Sequence, residues 1–230
     1  MESYTNERFV AKRMKWARTT SYVAVAALLI GLMTAGRVLW VAYALLLVGL
    51  IAASIGAYLT NRYIKEPRAD KVLASSLESL DKRYALYNYY FPAGHLLMSH
   101  YGLTVLDPYT MGGKVSYQNG HWRHKQGLAK IKQLFGDPAL GRPEIELRQE
   151  LAQVRKWIDE AMPDQHIPVT GVVVFTDPKL ELTVEGGDLA VVKADGLAQY
   201  MKVGPKGVEV LSTSQQRQLR QMLDDAVRAA

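Results

Sequence analysis

The chain has 230 residues, 28 Lys or Arg against 22 Asp or Glu, a net charge of +6 and no cysteine. Disulfides and thiol catalysis are thereby excluded, and the length beyond the N-terminal apolar region suits one domain with a substantial core. Residues 1–65 hold eight basic and two acidic side chains, whereas 66–230 hold twenty of each, so the excess charge gives no independent argument for a nucleic-acid ligand.

A basic leader containing Arg8, Lys12, Arg13, Lys15 and Arg18 precedes two uncharged stretches, about 19–35 and 38–59. At 1.5 Å per residue they make helices of about 25 and 33 Å, against a hydrocarbon core of about 30 Å. The spacing predicts a transmembrane hairpin whose turn holds Gly36 and Arg37. Two other readings are a buried helical pair in a soluble protein and a cleaved signal peptide for the first stretch alone. Arg62, Lys65, Arg68 and Lys71 follow the second stretch, so the positive-inside rule puts both ends in the cytoplasm. Trp16, Tyr22, Tyr58 and Tyr63 suit that interface and Trp40 the far one. Small residues at i+4, Ala27, Gly31 and Ala35 on one helix and Gly49, Ala53 and Ala57 on the other, offer a close-packed interface.

The expected division is 1–65 for the basic N-terminus and hairpin and 66–230 for a cytoplasmic α/β domain. Within the latter, Val72 to Leu80 reads as a helix, and Tyr84 to Phe91, His95 to His100 and Leu103 to Leu106 read as strands. Lys114 to Tyr117 continues them as a meander, and Asn119 and Gly120 give a type I′ hairpin signal. A short helix over 127–135 leads into a Gly/Pro loop. Glu144 to Met162 is the strongest helix, with Leu147, Leu151, Val154 and Ile158 on its apolar face between Pro143 and Pro163. Val169 to Phe175 has the nearly continuous apolar run of a strand buried on both faces. Two short strands, 180–184 and 189–192, then helices over 194–200 and 214–227, complete a mixed-sheet domain. The last helix has Ser212 or Ser214 as its cap.

Common catalytic signatures are missing: there is no phosphate-binding loop, HExxH or G-x-S-x-G. His121 and His124 have metal-like spacing but lie beside a turn without a sequence-near carboxylate. His95 and His100 fall on opposite faces of one strand and read as core or sheet-edge side chains, and Asp107, before Pro108, reads as a strand-end turn residue.

The ordered set GHLLMSHYGLTVLDPYTMGGKVSYQNGHW, RPEIELRQELAQVRKWI and PVTGVVVFTD, over about residues 70–200, resembles the nuclease-related domain (NERD) family, whose fold is similar to that of the PD-(D/E)xK nucleases. The resemblance implies a restriction-endonuclease-like mixed sheet. In active relatives an aspartate precedes the His-Leu-Leu strand and a Glu-x-Lys pair ends the next, carboxylates holding Mg or Mn while the lysine orients water. Here Gly94 stands at the aspartate's position, Asp107 at the glutamate's and Tyr109 at the lysine's, and Glu146 falls at the glutamine of the following helix. One carboxylate remains where a hard cation needs several oxygens, and a phenol does not replace an ammonium.

The resulting expectation is a catalytically inactive, membrane-anchored, nuclease-like domain that uses no cofactor. It serves as an accessory subunit with a lipid bilayer around its anchor and a membrane or cytoplasmic protein as partner. The alternatives are a divergent Mg- or Mn-dependent nuclease using Asp107 and Glu146, and a non-cleaving nucleic-acid binder. The latter would use Lys114, Arg123, Lys125, Lys130 and Lys132, with Tyr84, Tyr87, Tyr89 and Tyr90 available for base stacking.

Overall fold

A computed structural model describes residues 1–125, 140–205 and 207–229. The chain divides into two compact units, one built on Glu7–Arg68 and the other on residues 1–6 and the chain from 69 onward.

The helical unit pairs α1 (Glu7–Thr34) with α2 (Leu39–Tyr63), both long and apolar enough to cross a membrane. Their outer faces are apolar and open, Met33 being 81% exposed and Trp40 74%, as lipid-facing side chains require. The inner face keeps part of the i+4 stripes expected from the sequence, since Ala27, Gly31 and Gly49 are buried. Ala17, Ala24 and Gly31 recur every seven residues on α1, as do Ala42, Gly49 and Gly56 on α2, and all six are buried. Ala35 is exposed, and Ala53 and Ala57 are only partly covered. A seven-residue spacing keeps the seam of two slightly supercoiled helices in register, which i+4 spacing does not. A Cβ at Gly49 would stand 2.8 Å from the Leu28 side chain, so glycine permits that approach. At the base of the unit Arg68 pairs with Glu7 at 3.5 Å, and the rings of Phe9 and Tyr63 meet edge-on.

The second unit is a three-layer α/β domain. Its main sheet has the order β1 (Glu2–Thr5), β2 (Ala85–Asn88), β3 (His95–Ser99), β4 (Gly102–Tyr109), β7 (Val169–Phe175) and β9 (Ala190–Lys193). β2, β3 and β4 are antiparallel neighbours, while β1–β2, β4–β7 and β7–β9 are parallel, so the sheet is mixed as expected. Alternation along the strands sends Leu96, Met98, Leu103 and Val105 to one face. There they pack with Leu147, Val154 and Ile158 of α4 (Pro143–Ala161) and with Leu219 and Leu223 of α6 (Thr213–Ala229). Leu86, Leu97 and Leu106 reach the other face, against Leu73 and Leu77, within and just after α3 (Ala69–Ser76), and Leu197 and Met201 of α5 (Ala194–Val203). Each of these fully buried leucines contributes roughly 1.5–3 kcal/mol relative to exposure. α6 opens with a reciprocal cap: Ser212 Oγ accepts from the Gln215 N–H, and the Gln215 side chain accepts from the Ser212 N–H at 3.0 Å.

Three sequence expectations need correction. Lys114 to Tyr117 does not extend the main meander: β5 (Lys114–Gln118), β6 (His121–Lys125) and β8 (Glu181–Glu185) form a separate three-stranded sheet. The polar outer positions of these strands suit a small sheet covered on one face only. Asp107 lies inside β4 rather than in a turn, paired with Val173. The N-terminus is not wholly part of the anchor, because Glu2–Thr5 forms the edge strand beside β2. Four residues, Tyr4 among three polar side chains, leave too short a pattern to announce a strand; backbone pairing to Ala85–Asn88 supplies the order. The Asn119-Gly120 turn is as expected, with φ of 47° and 83° and Gln118 opposite His121. The expected 127–135 helix, with Lys130 and Lys132, lies outside the described residues.

Candidate functional site

Strand register brings the four positions singled out by the resemblance to one end and one face of the main sheet. Leu96 pairs with Val105, so two residues further along each strand Gly94 stands level with Asp107. Asp107 and Tyr109 alternate onto the same face as Val105, above which α4 starts, and Glu146 enters from its first turn. Pro143 opens α4 and fixes that turn; Leu147, one residue after Glu146, seats the helix on Gly171 of β7, where a Cβ would come within 2.8 Å of the leucine.

Tyr109 is the centre of the arrangement. Its hydroxyl donates to Glu146 Oε2 at 2.8 Å, and the nearby charge of Asp107 also acts on it. Burial, the charge of Asp107 and the bond to Glu146 all raise the phenol's pKa, in that order of cause, so the hydroxyl stays protonated and remains a donor. Asp107 is 8% exposed, while Glu146 is exposed. Gly94 offers no side chain to this group, and its carbonyl accepts from the Tyr89 N–H at 2.9 Å. Thr110 and Thr176 hydroxyls, 2.7 Å apart, tie β4 to β7 just past the site.

This donor set does not fit a hard divalent cation. Such an ion needs six or more oxygens, protein and water together, around one point, whereas here a neutral O–H beside Asp107 turns its one proton toward Glu146. Among the described residues, no three His, Asp or Glu side chains form a metal-holding group.

Aromatic side chains extend from Tyr109: its ring lies 5.9 Å from Phe175, Phe175 lies 6.1 Å from Trp122, and Trp122 lies 4.6 Å from Tyr117. Sequence reasoning did not connect Trp122 with this neighbourhood. The signal was present in the Asn119-Gly120 turn, since a two-residue hairpin fixes Tyr117 opposite Trp122.

The histidines separate into distinct roles. His95 Nδ1 lies 2.8 Å from Asn88 Oδ1 in the core, as its expected packing role requires. His100 stacks 4.1 Å from Tyr101 and edge-on to Tyr84, with no hydrogen bond at Nδ1. His124 Nε2 is 3.0 Å from the Gly112 carbonyl oxygen.

Lys114, Arg123 and Lys125 share the outer face of the small sheet, but Lys114 is bound to Glu181 at 2.6 Å. Tyr84 and Tyr87 are buried, 3% and 0% exposed, which withdraws them from base stacking. A groove of about 520 Å³ lies at the opposite end of the strands, between Lys82–Arg83 and α6. Arg83, Arg220 and Arg228 there are paired with Asp81, Asp224 and Asp225.

No protein-family model, curated protein or solved structure matches this chain.

Proposed function

We propose that the protein is a membrane-tethered accessory domain that works by interaction at the cytoplasmic face of a membrane complex. In this reading its nuclease-like, restriction-endonuclease-type site has lost hydrolysis. One observation carries the proposal: the Tyr109 hydroxyl, close enough to Asp107 to feel its charge, donates to Glu146. That bond makes the pair a packing element of β4 and α4, while Gly94 supplies no replacement carboxylate.

The hairpin supports the tethered part. The segments before α1 and after α2 belong to one folded unit, so a hairpin that crosses the bilayer has both ends on one side. The basic flanks assign that side to the cytoplasm.

Purified full-length protein should leave single- and double-stranded DNA and RNA intact with Mg²⁺ or Mn²⁺. Cleavage that disappears in Asp107→Ala would overturn the proposal. Extraction in mild detergent should yield the chain with a stoichiometric membrane or cytoplasmic protein, and a lone monomer under several mild conditions would count against the accessory role.

One observation favours a second reading, a divergent metal-dependent nuclease: Asp107 and Glu146 reach the same hydroxyl. Manganese that broadens NMR signals next to both carboxylates, and fails to do so in Asp107→Asn, would establish it.

A further inference from the structure

Above the uncharged run of α1, Phe9, Lys12, Arg13 and Trp16 follow one another at i, i+3, i+4 and i+7, on one side of the helix. They line a cavity of about 140 Å³. The Arg13 guanidinium lies 4.9 Å from the centroid of Phe9 and 5.9 Å from that of Trp16. A guanidinium held against ring faces keeps its N–H edge available for a planar anion. Lys12 is exposed, and among the described residues neither it nor Arg13 has a carboxylate partner.

Depth identifies the anion. Trp16, Arg13 and Lys12 precede Thr19 by three, six and seven residues, which along a helix is about 4.5, 9 and 10 Å outside the uncharged run. A headgroup layer is about 5–8 Å thick on each side of the hydrocarbon. Trp16 therefore falls inside that layer, where indole is favoured, and the two cations stand at its outer edge, beside the headgroups. The cavity is too small for a whole lipid and suits one phosphodiester.

We infer that Lys12, Arg13 and Trp16 form a headgroup site for an anionic phospholipid. Its phosphate lies between the ammonium and the guanidinium, and its glycerol lies against the indole. The inference rests on the hairpin spanning the membrane and goes beyond the general attraction of a basic leader to a negative surface, because it assigns the ligand to one side of α1.

The full-length protein, first tested for retention in membranes at alkaline pH, is purified in neutral detergent. It is then titrated with phosphatidylglycerol, phosphatidylcholine and inorganic phosphate, and bound species are counted by native mass spectrometry. Phosphatidylglycerol should bind at least about ten-fold tighter than phosphatidylcholine, and inorganic phosphate should not bind in the same range. Lys12→Gln with Arg13→Gln should weaken phosphatidylglycerol about 25-fold, roughly five-fold for each cation removed. Lys15→Gln with Arg18→Gln, which removes equal charge from another side of α1, should change it by less than about three-fold. Trp16→Ala should weaken the lipid while leaving helicity unchanged.

Equal losses in the two double variants, equal affinity for the two lipids, or tight binding of inorganic phosphate would overturn the site. Release at alkaline pH would overturn the spanning hairpin as well. Retention without lipid preference would overturn the headgroup site alone.

Discussion

A phenol between two carboxylates keeps its proton, since each negative neighbour opposes a further charge and burial opposes it again. For Tyr109 this turns the sheet end into a hydrogen-bonded bracket, and Tyr109→Phe should cost about 1 kcal/mol of stability by losing the bond to Glu146, measured as a lower thermal midpoint in detergent. His100 gives a second measurement. Its pKa is lowered chiefly by burial, with Arg83 acting the same way and Asp81 opposing. The unfolded chain therefore takes up a proton that the folded chain resists, so the neutral ring's contribution is complete above about pH 6.5 and is lost as pH falls through the folded value. His100→Gln should flatten the fall in thermal midpoint between pH 7.5 and 5.5 relative to the unaltered protein. At this scale Asp107, Tyr109 and Glu146 were singled out only by the family resemblance, since the residues alone read Asp107 as a turn residue. The bridge among them was not, because it depends on where α4 lands on β7.

Elements with a long apolar period were legible almost to their ends. Val169–Phe175 and Pro143–Ala161 follow their sequence patterns closely, since a two-sided buried strand and a helix bounded by prolines leave few alternatives. Pattern alone could not assign sheet membership: Leu182 and Val184 alternate as a strand should, yet β8 pairs with β5 rather than with the main sheet. The hairpin's seam was read only in part, with Ala27, Gly31 and Gly49 buried but Ala35 exposed, because Ala and Gly at i+4 are common in any apolar helix and only mutual packing selects the seven-residue set. That seam predicts its own cross-link. A Cβ at Gly56 would stand 2.8 Å from Ser21 Oγ, which fits the short Cβ separation of a disulfide, about 3.5–4.5 Å. In this cysteine-free chain, Ser21→Cys with Gly56→Cys should oxidise to an intramolecular bridge, seen as a mobility shift reversed by reductant. Ser21→Cys with Ala53→Cys, off the seam, should oxidise less readily.

Across the molecule, the structure moves a short piece of chain out of the anchor and into the sheet. Arg220 of α6 bonds Glu2 and Asp224, Asp224 accepts from the Tyr87 hydroxyl at 2.7 Å, and the Tyr4 ring stacks on Tyr87. These contacts join β1, the core and the last helix. A spanning hairpin must then keep both flanks on one side. Single cysteines at Ser3 and Gln118 should react with a membrane-impermeant maleimide from the same side, and one at Gly36 from the other. Opposite labelling of Ser3 and Gln118 would break the parallel pairing of β1 with β2.

That pairing also orders events during synthesis. β1 leaves the ribosome about eighty residues before β2, a delay of roughly 4–16 s at 5–20 residues per second. Both apolar helices emerge in the interval, while the first strand waits unpaired. For a hairpin that spans, only an insertion that returns the chain to its starting side lets that strand dock, so completion of the sheet would report a correct topology.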